Sequence, residues 1–175
     1  MNQRSLPVIA LFLLVSISFS CKKGDTGLQG VPGSANVMYT DWFTPTPWTK
    51  DTVFSIWGYN YTQPVPAITQ QILDSGVVLT FAKLLGYNVS IWPTTQVGQL
   101  PISLTYQSGS IMTDTWSARS SVGNVKIRFV NDHNYWSSIS TSHQFRVVVI
   151  PGGIKSARVS QPTYESICKA YNIPE

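Results

Sequence analysis

From about Val37 onward, short apolar runs alternate with clusters of Gly, Pro, Asn and Ser. A strand sends successive side chains to opposite faces, so a half-buried strand reads apolar–polar with a period of two. Val125, Ile127 and Phe129 alternate with Lys126 and Arg128 and predict such a strand. Leu100, Ile102, Leu104 and Tyr106 alternate with Pro101, Ser103 and Thr105. Pro101 has no N–H to give a ladder, which puts the start of that strand at an edge or bend. Residues 53–61 predict another, with Ser55, Trp57, Tyr59 and Tyr61 on one face and Phe54 and Ile56 on the other, ended by Pro64 and Pro66. Residues 37–43 predict a first strand and residues 111–116 a weaker one. Residues 77–84 form a nearly continuous apolar run, which predicts a central strand covered on both faces. Residues 145–150 close the set before a Pro-Gly-Gly turn. About seven short strands separated by turn signals predict a mainly β fold, an antiparallel β-sandwich.

Two short helices interrupt the strands. Thr69 can cap residues 70–74, with Gly76 as a left-handed stop. Thr163 can cap a last helix with Glu165 in its first turn, where the helix dipole favours negative charge. Tyr164, Ile167, Cys168 and Tyr171 then form one apolar stripe at i, i+3, i+4 and i+7 that packs on the sheet. Asn172 and Pro174 end it. Residues 131–144, rich in Ser, Thr and Asn, predict a long loop or a frayed hairpin.

The N-terminal segment has a different pattern. Arg4 precedes a run of apolar residues from Leu6 to Val15, continued by Ile17 and Phe19. A basic start, a short apolar centre and small residues before a cut form a secretory signal layout. The run is shorter than the roughly 20 residues that a membrane span needs. Ser18-Phe19-Ser20-Cys21 resembles a bacterial lipobox, with Ser18 where many such boxes carry Leu. The resemblance implies lipidation of Cys21, which becomes the new N-terminus and anchors the protein to a membrane. Gly24, Gly27, Gly30 and Gly33 recur every third residue, the spacing of collagen. So few triplets predict an extended tether, and a homotrimer would need the C-terminal domain to seed it. The organisation is therefore residues 1–20, signal peptide; 21–36, lipidated cysteine and Gly-X-Y tether; and 37–175, β-sandwich.

Lipobox, glycine triplets and β-rich domain, in that order, resemble a group of collagen-like lipoproteins found in Bacteroidota. The stretches Phe145-Arg146-Val147-Val148-Val149-Ile150-Pro151-Gly152-Gly153 and Ile68-Thr69-Gln70-Gln71-Ile72-Leu73-Asp74-Ser75-Gly76-Val77-Val78-Leu79 are similar as well, as are Tyr164-Glu165 and Tyr171-Asn172-Ile173-Pro174. The resemblance implies a place in the cell envelope, at the outer membrane. It implies no activity.

Composition narrows the classes further. Hydrophobic residues make up 43% of the 175-residue chain and aromatics 12%, enough to fill a core. Charged residues reach only 11%, which with the prolines excludes a long coiled coil. Two cysteines exclude a disulfide scaffold. Removal of residues 1–20 takes Arg4 and no acid, so the formal charge falls from +4 to +3. Two of those positives, Lys22 and Lys23, stand beside the anchor, which leaves no footprint for nucleic acid.

Chemistry-bearing residues are sparse. Cys168 lies on the buried stripe of a helix and reads as packing. His133 and His143 lie in the polar 131–144 stretch and read as surface residues. The acids are scattered, with no spacing for a metal site, a cofactor or a catalytic pair. Trp42, Trp57, Phe81, Tyr106 and Phe129 read mostly as core. Tyr135 and Trp136, in the polar loop, are the candidate binding residues, for a sugar ring or an envelope protein. Trp48 and Trp92, beside Pro47 and Pro93, are weaker cases of the same kind. The expected function is a non-enzymatic, membrane-anchored β-sandwich with a structural or adhesive role. The alternatives are a glycan-binding module and, third, an envelope hydrolase.

Overall fold

The computed structural model describes residues 36–135, 142–152 and 163–175. The signal segment, Cys21, the glycine triplets and Trp136 lie outside the described residues. Among the described residues, nine strands form two antiparallel sheets. They are β1 (Met38–Tyr39), β2 (Thr49–Val53), β3 (Ile56–Pro64), β4 (Val77–Lys83), β5 (Gly98–Gln99), β6 (Ile102–Ser108), β7 (Ser110–Ser121), β8 (Asn124–Asn131) and β9 (Gln144–Ile150). The smaller sheet has the order β1-β9-β4-β5 and the larger one β2-β3-β8-β7-β6.

The sheets pack face to face. Ala82, Phe145, Val147 and Val149 from the smaller sheet meet Ile102, Leu104, Trp116, Val125, Ile127 and Phe129 from the larger. The alternation of Val125, Ile127 and Phe129 thus points into the core, and all three are buried. The continuous apolar runs have a different cause. Helix α2 (Tyr164–Tyr171) covers the outer face of the smaller sheet, where Phe81 and Val148 pack on Tyr164, Ile167 and Cys168. β4 and β9 are therefore apolar on both faces. Thr163 caps α2 by accepting from the Ser166 N–H at 3.2 Å, and Asn172 closes it in the left-handed region at φ 54°.

Buried Arg146 fastens this third layer. Its guanidinium donates to the Thr40 carbonyl at 3.0 Å, to the Tyr164 hydroxyl at 2.8 Å and to the Pro174 carbonyl. It also faces the rings of Tyr39 and Trp42. Three acceptors and two π-faces thus replace the carboxylate that a buried cation usually needs.

Several expectations are corrected. Residues 53–61 are not one strand: β2 and β3 form a hairpin that turns at Phe54 and Ser55, with Val53 opposite Ile56. The first strand is short, and Phe43 adds only an isolated bridge to Phe145. The weak 111–116 candidate is β7, the longest strand at 12 residues. β8 and β9 belong to different sheets, so the segment between them crosses the sandwich and is no hairpin. Helix α1 (Gln70–Ser75) does have Thr69 as its cap, but Gly76 is extended at φ −99°. Glycine is needed there for space, because a Cβ would stand 2.7 Å from the Ile150 carbonyl oxygen.

Candidate functional site

One end of the sandwich gathers most of the unexplained chemistry. The register Gly58↔Val130 puts the β2–β3 turn beside the end of β8, and Asp114↔Asn131 puts the start of β7 there too. Lys83↔Gln144 brings the end of β4 and the start of β9 to the same side of their own sheet. The Leu85 N–H donates to His143 Nδ1 at 2.9 Å and ties those two segments together.

The first component is the hairpin tip. Phe54 has φ 47° and Ser55 φ 64°, the two positive values of a two-residue type I′ turn. Such turns favour Asn-Gly, because L side chains are strained at positive φ, by about 1–2 kcal/mol. Here a phenylalanine occupies the first position and is 98% exposed. Val53, Ile56 and Trp57 beside it are exposed as well. Sequence periodicity places Trp57 in the core, but Trp57 stands at the rim, with the Lys50 ammonium 3.1 Å from its ring centroid.

The second component is the loop after β8, which clamps the tip. Asn134, itself at φ 57°, accepts from the Trp57 N–H at 2.7 Å and donates to the Ser55 carbonyl at 3.0 Å. Asn131 accepts from the His133 and Tyr135 N–H groups at 2.8 and 3.0 Å. Asp132 accepts from the Thr113 N–H at 2.9 Å and lies 2.7 Å from His133 Nδ1. The Thr113 N–H, followed by His133, holds the Asp132 carboxyl below its ordinary value. Tyr135 is 38% exposed, and its N–H is held by Asn131. Trp136, its proposed companion, falls outside the described residues.

The third component is a buried polar cluster behind the loop. Asp114 is fully buried and accepts from the Tyr87 hydroxyl at 2.7 Å and from Asn131 Nδ2 at 2.7 Å. Trp116 Nε1 donates to the Tyr87 oxygen at 3.0 Å. Burial pushes the Asp114 carboxyl up, and the bonds from Asn131 and Tyr87 oppose that. Burial, then the Asp114 charge, pushes the Tyr106 phenol up to about 12. Tyr87 moves in the same direction, chiefly through burial. Both phenols are thus neutral donors at physiological pH. They line a cavity of about 280 Å³ together with Leu85, Asn88, Ile91 and Gln107.

His143 belongs to this cluster, not to the surface. It is 2% exposed and lies edge-on to Trp116 at 4.7 Å. Burial pushes its imidazole down to about 4. His133 remains exposed beside Asp132. Cys168 is buried, as predicted. Trp92 is buried and Trp48 packs on Trp116, so both are core and not loop anchors.

Asp114 and Asp132 already hold hydrogen bonds from the protein's own donors. The arrangement is suited to presenting fixed donors, acceptors and apolar area. Among the described residues, no three His, Cys, Asp or Glu side chains are grouped to hold a metal ion. No described helix is long and apolar enough to cross a membrane. No family model, curated protein or solved structure matches the chain.

Sequence reasoning misses the tip because Val53-Phe54-Ser55-Ile56-Trp57 carries no Asn-Gly or Asp-Gly signal. Lys50 and Asp51 could have marked a separate, solvent-facing strand. The Asp114 cluster leaves no local signal, since its partners stand 27 and 17 positions away.

Proposed function

We propose that the protein is a lipid-anchored lipoprotein of a bacterial cell envelope, and that it displays its β-sandwich as a non-enzymatic, adhesive domain. The contact end is the one that carries Phe54. The observation behind this is a phenylalanine held 98% exposed in a strained turn and clamped by Asn134. An apolar tip of this kind supplies a rigid anchor for a partner surface. Anchoring rests on Cys21 and the apolar run before it.

The test is adhesion of cells displaying the full chain, with Phe54→Asn and Ser55→Gly combined. The pair relieves the turn and raises fold stability by about 1 kcal/mol, while adhesion falls. Unchanged adhesion by the stabilised variant excludes the tip. Cys21→Ser, followed by fractionation and lipid labelling, tests the anchor: the variant leaves the membrane fraction and takes no label.

A second reading, glycan binding, is favoured by exposed Tyr135 on the loop that also carries Asp132, close to the Tyr106 phenol and its cavity. A ring face, a carboxylate and phenol oxygens around a cavity are groups that can hold a sugar. Loss of a glycan-array signal in Tyr135→Ala, with Phe54→Asn/Ser55→Gly still binding, would select this reading over the first.

A further inference from the structure

The outer face of the larger sheet carries a second group of charged side chains, which reaches the tip only at Val53. Alternation along β7 and β8 turns Ser117, Arg119, Lys126 and Arg128 away from the core. Arg119 and Lys126 are register partners on β7 and β8, so two like charges stand directly opposite each other. Such a pair destabilises a sheet. Both side chains belong to exposed residues.

Arg128 stands next to them and is held in place. It donates to both Asp51 oxygens at 2.7 and 2.5 Å and to Asn60 Oδ1 at 3.0 Å. Its guanidinium lies across Gly58, where any Cβ would collide with it. Asp51 is thereby bonded to Arg128, and its carboxyl is held below the ordinary value mainly by that bond, with Lys126 adding a weaker attraction from a distance. Arg119 and Lys126 are left with no carboxylate in salt-bridge contact among the described residues. These side chains border a depression of about 450 Å³, with Val53 and Ser117.

Hydroxyls extend the face along β6 and β7. Ser103 pairs with Thr115 at 3.4 Å and Thr105 with Thr113 at 3.2 Å. The face therefore offers a cationic centre with rows of small hydrogen-bonding groups beside it and an apolar edge at Val53 and Ala118. We propose that it binds an anionic polysaccharide, a chain whose sulfate or carboxylate groups meet Arg119 and Lys126 and whose hydroxyls meet the Ser/Thr rows. An exposed pair of like charges at the rim of a depression, with hydroxyl rows beside it, is complementary to that chemistry.

The full chain in neutral detergent is tested against dextran sulfate, neutral dextran and polyglutamate. Binding to dextran sulfate, weakened by salt, with no retention by neutral dextran, is expected. Arg119→Gln/Lys126→Gln should weaken it about tenfold or more. Lys22→Gln/Lys23→Gln, which removes the same charge beside the anchor, should leave it within about twofold. Because the first variant removes a like-charge pair, its thermal midpoint should hold or rise, so lost binding cannot be ascribed to unfolding. Equal weakening by both variants would reduce the effect to net charge and overturn the site. Binding of polyglutamate as tight as that of dextran sulfate would overturn the sugar chemistry, and no weakening by the first variant would overturn the assignment of Arg119 and Lys126.

Discussion

Acid should destabilise this domain through His143. In the folded state Nδ1 accepts from the Leu85 N–H at 2.9 Å, and Nε2 is buried without a partner. A second proton would have to go on Nδ1, where it would face an N–H donor and break that bond. Burial moreover disfavours the charged ring, and the imidazole falls from its ordinary 6.5 to about 4. A folded-state pKa below the unfolded one means that the unfolded chain takes up the proton first. The stability contribution is then complete above pH 6.5 and is lost as pH falls from there toward 4. With about 1.4 kcal/mol for each pKa unit between the two states, the full loss is about 3 kcal/mol, of which about 2 kcal/mol appears by pH 5.

Urea unfolding of the full chain in detergent, followed by circular dichroism at pH 7.5 and pH 5, measures this loss. Asp114 works in the opposite sense, since its raised pKa stabilises the fold as pH drops. His143→Asn separates the two. The Asn amide oxygen can take the Leu85 N–H in place of Nδ1, so the variant keeps the bond and loses the titration. It should be about 1–2 kcal/mol less stable at pH 7.5, because the ring no longer packs on Trp116. Its loss on going to pH 5 should be smaller than the wild type's by about 2 kcal/mol. Equal pH dependence in both proteins would refute the reasoning and move the acid sensitivity elsewhere.

Other changes test the layer above the smaller sheet. Cys168→Ala should cost about 1 kcal/mol in urea unfolding, and Cys168 should resist thiol reagents until the protein unfolds; rapid native-state labelling would contradict its burial. Arg146→Met leaves the Thr40 and Pro174 carbonyls and the Tyr164 hydroxyl without their donor. It should cost about 2–4 kcal/mol and increase amide exchange in α2 before the rest of the domain.

The parts of the fold that sequence reveals are those where one physical cause acts on neighbouring residues. The β8 alternation, the α2 stripe and the continuous runs of β4 and β9 each record a single packing face, or two. Edge elements follow other rules. β2 begins with Thr49, Lys50, Asp51 and Thr52, because an edge strand on an open face needs no apolar alternation. β5 is two residues long, too short for any period. His143 reads as loop because Ser142 and Gln144 flank it, yet the Leu85 N–H and Trp116 draw it inward. Arg119 and Lys126 become neighbours only through the β7–β8 register. Sites assembled by register or by loop contact have no spacing to recognise.

The β2–β3 tip departs from local rules in a way that the fold itself does not explain. Phe54 contributes nothing to the core at 98% exposure, and its φ of 47° costs about 1–2 kcal/mol. Asn-Gly would close the same hairpin without that cost. On the proposed adhesive reading, a contact with a partner surface supplies the compensation. A phenylalanine side chain buried fully against a partner gains about 1.5–3 kcal/mol, enough to offset what the turn loses. The Asn134 bonds to Trp57 and Ser55 matter for the same reason. They fix the tip before a partner arrives, so that less conformational entropy is lost on docking. Asn134→Ala should therefore weaken adhesion while Phe54 remains present, and it should do so through a slower association or a faster dissociation of an otherwise folded domain.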